Sequence, residues 1–189
     1  MDEAVPSFLS LHGAQQTVGH VRAVAEKAAL LARELGGVDP ARAAAAGWLH
    51  DVSAVVPLSA RLDLARRLGL GVFPEEEAAP MLLHQRLSVS FAENCFAVDD
   101  LGVLSAIGCH TTLRAGASLL DRVVFLADKI AWDQTGLPPY LAELEAALRS
   151  SVETAVRVYL ASLWERRDSL PALHPWFVDA CREYGLVPR

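Results

Sequence analysis

The 189-residue chain has few cysteines, no long hydrophobic run and no excess of basic residues, and each of these shortages excludes a class of protein. Its three cysteines, Cys95, Cys109 and Cys181, leave one without a partner and have no zinc-site spacing, so we expect reduced thiols, mostly in the core. No segment reaches the roughly 18 apolar residues of a membrane span. The N-terminal stretch MDEAVPSFLS lacks the charged and apolar regions of a signal peptide. We therefore expect a cytoplasmic protein without a membrane partner.

The charge and the composition favour a globular helical domain. A net charge of −6 argues against a nucleic-acid partner, which a basic surface would indicate. Hydrophobic residues make up 52% of the chain, with many alanines and leucines and few β-branched runs, and this composition favours helices. A chain of this length is expected to bury a full core without disulfides. We expect an N-terminal segment over residues 1–14, frayed around His12, and one domain over residues 15–185.

Hydrophobic periodicity predicts an all-α bundle with short connections, because no stretch shows the sustained alternation of a strand. Apolar residues recur every three or four positions between His20 and Leu35, and Asp39 and Pro40 then begin a second helix that runs to His50. The helix after His50 is expected to begin with a cap at Ser59. Further helices are predicted over residues 59–69 and 79–95, from a cap at residue 99 or 100 through 105 to 109, and over residues 118–132, 140–149, 152–167 and 175–184. The acidic residues 75–77 are expected to form a solvated turn or a helix start.

Several groups that can bind a metal lie in or at the ends of apolar helical segments. Singly, each has an ordinary explanation: a buried histidine usually bonds to a backbone carbonyl, and a buried aspartate caps a helix or pairs with a cation. Lys129 is adjacent to one aspartate but is expected to point elsewhere on the helix. Six such groups on five helices favour a shared divalent metal, since neutral imidazole and ionised carboxylate are its ligands. The six residues are His20, His50, Asp51, His84, His110 and Asp128.

The order of these residues resembles the HD phosphohydrolase superfamily, named for a doublet seen here at His50 and Asp51. Within it, the chain is similar to the two-metal members and to bacterial symmetrical bis(5'-nucleosyl)-tetraphosphatases. The resemblance covers roughly residues 15 to 180 and implies a single HD-domain helical bundle. The matching stretches are TVGHVRAVAEKAALLA, AAGWLHD, LLHQ, AIGCHTTLRAG and LLDRVVFLADKI.

The resemblance also implies two divalent ions, iron first and manganese as the alternative. His20, His50, Asp51 and Asp128 would hold the first ion, and Asp51 would bridge to a second ion held by His84 and His110. Such a pair lowers the pKa of a bound water and neutralises phosphoryl charge during attack. The residues expected to carry catalysis are Asp51, His84 and His110.

The residues expected to face the substrate match the family less well. Thr111 would hold a phosphate oxygen or cap a turn, and Arg114 and Lys129 are either substrate-binding cations or solvated surface charges. Trp132 is close enough to Asp128 in sequence to border a base pocket. Three cationic residues that many relatives carry are replaced here. Residues 17–18 stand in place of an Arg-Tyr pair and residues 54–55 in place of a lysine. The stretch AWDQTGLPPY has no arginine where relatives often have one.

The resemblance implies hydrolysis of nucleoside polyphosphates, in particular of diadenosine tetraphosphate to two ADP. The alternative within the same chemistry is a phosphohydrolase of another nucleotide or a small phosphoester, because of the replaced cations. Two other classes remain open, a di-iron oxygenase and a non-catalytic helical module with a structural metal. The C-terminal helices either pack within the chain or form the face of a homodimer.

Overall fold

A computed structural model of the protein describes residues 1–132 and 136–187. This part of the chain forms α-helices and three short 3-10 segments, with no strand, which confirms the all-α prediction. None of its helices is long and apolar enough to cross a bilayer. The α-helices are α1 (Ala4–Leu11), α2 (Thr17–Leu35), α3 (Pro40–Leu49), α4 (Leu58–Arg67), α5 (Pro74–Ala78), α6 (His84–Phe96), α7 (Leu101–Cys109), α8 (Leu119–Ile130), α9 (Leu141–Leu148), α10 (Val152–Glu165) and α11 (Pro175–Glu183).

Helix α8 lies at the centre of the bundle and packs against α2, α3, α7 and α10. Residues 123–127 of this helix are fully buried. Its start is fixed by a capping box, in which Ser118 Oγ accepts from Asp121 N–H at 3.1 Å and Asp121 Oδ2 accepts from Ser118 N–H at 2.9 Å. The helix predicted at 118–132 is therefore confirmed as α8, and Ser118 caps its N-terminus.

Helices α2 and α3 pack closely because Gly47 has no side chain. A Cβ at Gly47 would lie 2.6 Å from Ala25 Cα, a distance that real Cβ atoms essentially never show. Asp39 caps α3, since its Oδ1 accepts from Ala41 N–H at 2.8 Å, and Pro40 follows at the first helical position. This approach brings the end of α3 close to the first turns of α2.

Four local expectations are corrected by the structure. The N-terminal segment is not frayed: α1 forms, and Val5 and Leu9, one turn apart, are fully buried in the main core. Residues 79–95 do not form one helix, because a 3-10 turn at Pro80–Leu83 precedes α6. Ser59 is not a cap, since α4 begins at Leu58 without a side-chain cap. The acidic stretch begins a helix, but Glu76 within it is fully buried. The stretch AWDQTGLPPY, in which relatives often carry an arginine, includes residues 133–135, which lie outside the described residues.

Candidate metal centre

All six residues expected to bind metal meet at one place in the fold. They come from five helices or their ends and are separated by up to 108 positions in the chain. Two carboxylates and four imidazoles lie here, and eight pairs of their polar atoms are 3.0–4.0 Å apart. His20 is in α2, His50 ends α3 and Asp51 follows it, His84 begins α6, His110 ends α7, and Asp128 is in the last turn of α8.

Three of the imidazoles are held by one repeated backbone contact. In His50, His84 and His110, Nδ1 lies 2.7, 2.5 and 2.8 Å, respectively, from the carbonyl oxygen three residues earlier. A carbonyl oxygen only accepts, so Nδ1 of each ring carries the proton and Nε2 is left with its lone pair. Each ring is therefore fixed in the tautomer that a metal ligand requires.

The ε-nitrogens of the four imidazoles, these three and that of His20, lie close together in two pairs. His84 Nε2 is 3.0 Å from His110 Nε2, and His50 Nε2 is 3.1 Å from His20 Nε2. Burial lowers the pKa of His84, and burial together with neighbouring charges lowers that of His110 well below its ordinary value. Two neutral acceptors cannot bond to each other, so the His84–His110 pair fits a cation between its lone pairs.

The carboxylate of Asp51 faces both histidine pairs, one with each oxygen. Its Oδ2 lies 4.0 Å from His20 Nε2 and 3.8 Å from His50 Nε2, whereas its Oδ1 lies 3.5 Å from His84 Nε2 and 3.6 Å from His110 Nε2. Burial acts to raise the pKa of Asp51, but the imidazoles around it, His50 first, lower it to about 2. An ionised carboxylate in this position suits a bridge between two cations.

Two groups of potential ligands result, and both share Asp51. The first half-site contains His20, His50, Asp128 and Asp51 Oδ2. The second half-site contains His84, His110 and Asp51 Oδ1. His20, His50 and Asp128 of the first half-site form one group that could hold a metal ion, and a second such group, His50, Asp51 and His110, spans the two half-sites.

Asp128 completes the first half-site and is itself held by a buried cation. Its Oδ1 lies 3.1 Å from His20 Nε2, and its Oδ2 accepts from Lys129 Nζ at 2.6 Å. Burial opposes ionisation of Asp128, but the charge of Lys129 lowers its pKa well below the usual value. The expectations that Lys129 points elsewhere and that it is a solvated surface charge are wrong, because its flexible stem folds back and its side chain is only 11% exposed.

Thr111 lies at the second half-site, and a residue not singled out from the sequence holds it there. Its Oγ1 is 2.9 Å from His84 Nε2 and donates, because that nitrogen carries no proton. Buried Gln85 accepts the backbone N–H of Thr111 at 3.3 Å and that of Thr112 at 3.4 Å. The phosphate contact expected of Thr111 stays a prediction.

Arg114 is not brought to this group. Its Nη2 donates to Ser105 Oγ at 2.7 Å and lies 3.8 Å from Asp121 Oδ2. Asp121 is in the first turn of α8, whereas Asp128 is in the last, so Arg114 is placed at the opposite end of that helix.

Arg61 in α4 is a cation near the centre that the motifs do not contain. Its Nε donates to the Val56 carbonyl at 3.3 Å and its Nη1 to the Met81 carbonyl at 3.2 Å. The Met81 carbonyl also accepts from His84 Nδ1. Burial lowers the pKa of Arg61, and the charge of Asp51 acts to raise it. The missing lysine at residues 54–55 was the only signal that another cation was needed here.

Two cavities lie beside the centre and share Lys129 and Tyr159 as lining residues. The aromatic cavity, of about 320 Å³, opens on the first half-site and is lined also by Trp132 and Tyr140, while a base contact of Trp132 stays a prediction. The apolar pocket, of about 200 Å³, is lined by Thr111 and by side chains from α10 and the C-terminal segment.

Comparisons with known proteins agree with this geometry. The model of the HD domain family matches residues 17–133. An uncharacterised protein in the pepC 5' region of Lactococcus lactis subsp. cremoris is 36% identical over 146 residues, 77% of this chain and 74% of that protein. A symmetrical bis(5'-nucleosyl)-tetraphosphatase of Halalkalibacterium halodurans is 31% identical over 132 residues, 68% of this chain and 65% of that protein.

Two further relatives differ in how much of the chain they match. A probable nicotinate-nucleotide adenylyltransferase/Ap4A hydrolase of Mycoplasma genitalium is 31% identical over 94 residues, 49% of this chain and 26% of that protein. A crystal structure from Clostridium acetobutylicum, of a predicted HD superfamily hydrolase involved in NAD metabolism, aligns with a TM-score of 0.86 and 24% identity. It covers 96% of this chain and 95% of its own, so the two share a fold over nearly their whole lengths.

Proposed function

We propose, from the premise that the chain belongs to the HD domain family, that it is a metal-dependent hydrolase of nucleoside polyphosphates. The substrate we infer is a dinucleoside tetraphosphate, cleaved symmetrically to two nucleoside diphosphates. The observation that carries this proposal is the carboxylate of Asp51, whose two oxygens each face one pair of imidazoles. The names of the Halalkalibacterium and Mycoplasma relatives support the substrate class.

The donor set fits two divalent cations, iron or manganese, one in each half-site. When bound, such ions supply a hydroxide at neutral pH and neutralise charge on the phosphoryl oxygens. Oxygen and neutral nitrogen ligands suit both metals, so the donor set favours neither.

The residues of this chain prepare the site for that chemistry. Backbone carbonyls fix His50, His84 and His110 with Nδ1 as the donor and Nε2 facing the centre, the orientation that a metal ligand requires. Asp51 and Asp128 stay ionised, and Lys129 keeps Asp128 from turning away from His20. The thiol of neighbouring Cys109 takes no part, since burial raises its pKa well above the usual range.

A tetraphosphate also needs cations that are not metals. Arg61 and Lys129 lie near the centre and take over from the family cations replaced at residues 17–18 and 54–55. The same replacements favour the alternative, a phosphohydrolase of another nucleotide or a small phosphoester.

The test is hydrolysis by the purified protein supplied with Fe²⁺ or Mn²⁺. We expect diadenosine tetraphosphate to give ADP alone, measured by anion-exchange chromatography, whereas ATP with AMP would contradict symmetrical cleavage. Turnover of another phosphoester without ADP release would support the alternative. Oxygen consumption without phosphate-bond cleavage would overturn both in favour of an oxygenase.

A further inference from the structure

We infer that the apolar pocket binds one nucleobase of the substrate, an inference that rests on the proposed function. The pocket is defined by Leu163, Leu170, Ala172 and Phe177 on its apolar side and by Thr111 at its polar end. Its ligand would be the flat, mostly apolar ring of a nucleotide whose phosphates lie at the two half-sites.

The pocket adjoins the candidate metal centre at two points. Thr111 lines it, and Thr111 Oγ1 is 2.9 Å from His84 Nε2 in the second half-site. Lys129 lines it as well, and its Nζ is 2.6 Å from Asp128 Oδ2 in the first half-site. A ligand with one end in this pocket therefore has its other end beside both groups of metal ligands.

The size of the pocket fits one part of a substrate rather than a whole one. Its volume of about 200 Å³ is below the roughly 300–1,000 Å³ of pockets that enclose a complete drug-sized ligand. Apolar side chains dominate its walls, and Phe177 offers an aromatic surface. Every nucleobase has an apolar face that stacks on such side chains and a polar edge that seeks hydrogen bonds.

Polar groups at one end of the pocket distinguish a base from a purely apolar ligand. The hydroxyls of Thr111 and Thr112 lie there with the ammonium of Lys129. Each of them already bonds within the protein, to His84, Gln85 and Asp128 respectively, but keeps a further donor or acceptor that a hydrocarbon chain would leave unused. A base edge can donate to or accept from them.

The wall formed by the C-terminal segment is fixed by a buried polar network. His174 lines the pocket and caps α11, since its Nδ1 accepts from Trp176 N–H at 3.2 Å. Its Nε2 then carries the proton and faces Glu76 Oε1 at 3.5 Å, while Arg86 donates to Glu76 Oε2 at 2.8 Å. The network ties α11 to α5 and α6, so the pocket is formed before a ligand arrives.

The experiment measures binding of ADP and of inorganic pyrophosphate to the Mn²⁺-loaded protein by calorimetry. Ala172→Phe fills the pocket and touches none of the metal ligands described above. We expect it to weaken ADP binding by at least about tenfold and to leave pyrophosphate binding within twofold of the wild type. The matched control is Ala161→Phe, a half-buried alanine of α10 that does not line the pocket, which should change neither affinity.

A second variant guards against misfolding of the first. Leu170→Ala enlarges the pocket instead of filling it and is expected to weaken ADP binding severalfold, again without an effect on pyrophosphate. Equal affinity of the wild type for ADP and pyrophosphate, or unchanged ADP binding in both variants, would overturn the inference. Because binding is measured, this result is separate from hydrolysis: a protein that binds ADP through the pocket but does not cleave the tetraphosphate would contradict only the proposed function.

Discussion

The two half-sites share a carboxylate but differ in how completely protein groups surround them. The first half-site has three ligand residues of its own, His20, His50 and Asp128, and its aspartate is paired with a buried lysine. The second has two, His84 and His110, and the hydroxyl of Thr111 bonds to one of them, His84. Structural metal sites are closed by protein ligands, whereas catalytic sites keep a position open.

The two half-sites also differ in negative charge. The first half-site has a full carboxylate in addition to its share of Asp51, while the second has only that share. We therefore expect tight binding of a cation in the first half-site and weaker binding in the second, where substrate and water have access.

The largest expected effect is that of Asp51→Ala, which removes a ligand from both half-sites. We expect hydrolysis to fall by more than the roughly 10–100-fold that loss of an outer partner costs. Bound metal, measured by inductively coupled plasma mass spectrometry, should fall below one ion per chain. Asp63→Ala, in an exposed ion pair of α4, is the control. Retention of two ions would show that Asp51 is not the bridge.

A matched pair of histidine variants separates the half-sites. His50 and His110 are both buried, end a helix and donate to the carbonyl three residues earlier. We expect His50→Ala to lose both ions, and His110→Ala to keep one ion while losing activity. If His50→Ala kept one ion and His110→Ala lost both, the second half-site would be the one that binds its ion more tightly.

Chelation of the wild-type protein tests, without a substitution, whether the first half-site binds its ion more tightly than the second. Titration with a chelator should remove the ions in two steps, and activity should disappear with the first. A single step that removes both ions together would mean that the half-sites are equivalent in affinity.

Arg61→Gln is expected to have a smaller effect, because Arg61 lies near the centre but is not one of the six candidate ligands. It shares the Met81 carbonyl with His84, so its loss should lower kcat/KM by about tenfold, within the range for outer partners of a metal site. Arg67→Gln on the same helix is the control, since Arg67 is exposed and pairs with exposed Asp63 at 3.6 Å. Equal kinetics of the two variants would remove Arg61 from the site.

That these six residues meet could be predicted from the sequence, because each stands in or at the end of an apolar helix. His50 and His110 end helices whose periodicity is clear, and Asp128 interrupts the apolar face of α8. The capping signal of Asp39 gave the start of α3, and the apolar segment beginning at Ser118 gave that of α8 within one residue. Local patterns of this kind depend only on neighbouring residues.

The missed features depend on contacts between distant segments. Arg61 reaches the centre only because α4 packs on the 3-10 turn that contains Met81, and Glu76 is buried only because Arg86 and His174 surround it. Lys129 folds back on its neighbour because Phe125 and Tyr159 offer aromatic faces at 5.3 and 5.6 Å. Neither periodicity nor capping carries this information.

The close contact at Gly47 has a consequence for which ions the protein can accept. Because the backbones of α2 and α3 touch there, the separation of His20 and His50 is set by helix packing rather than by the occupant. A metal site whose ligands are held at a fixed separation selects ions by their radius. We expect it to reject Ca²⁺, which takes roughly six to eight oxygen ligands at longer distances, and to admit the smaller transition-metal ions without rearrangement.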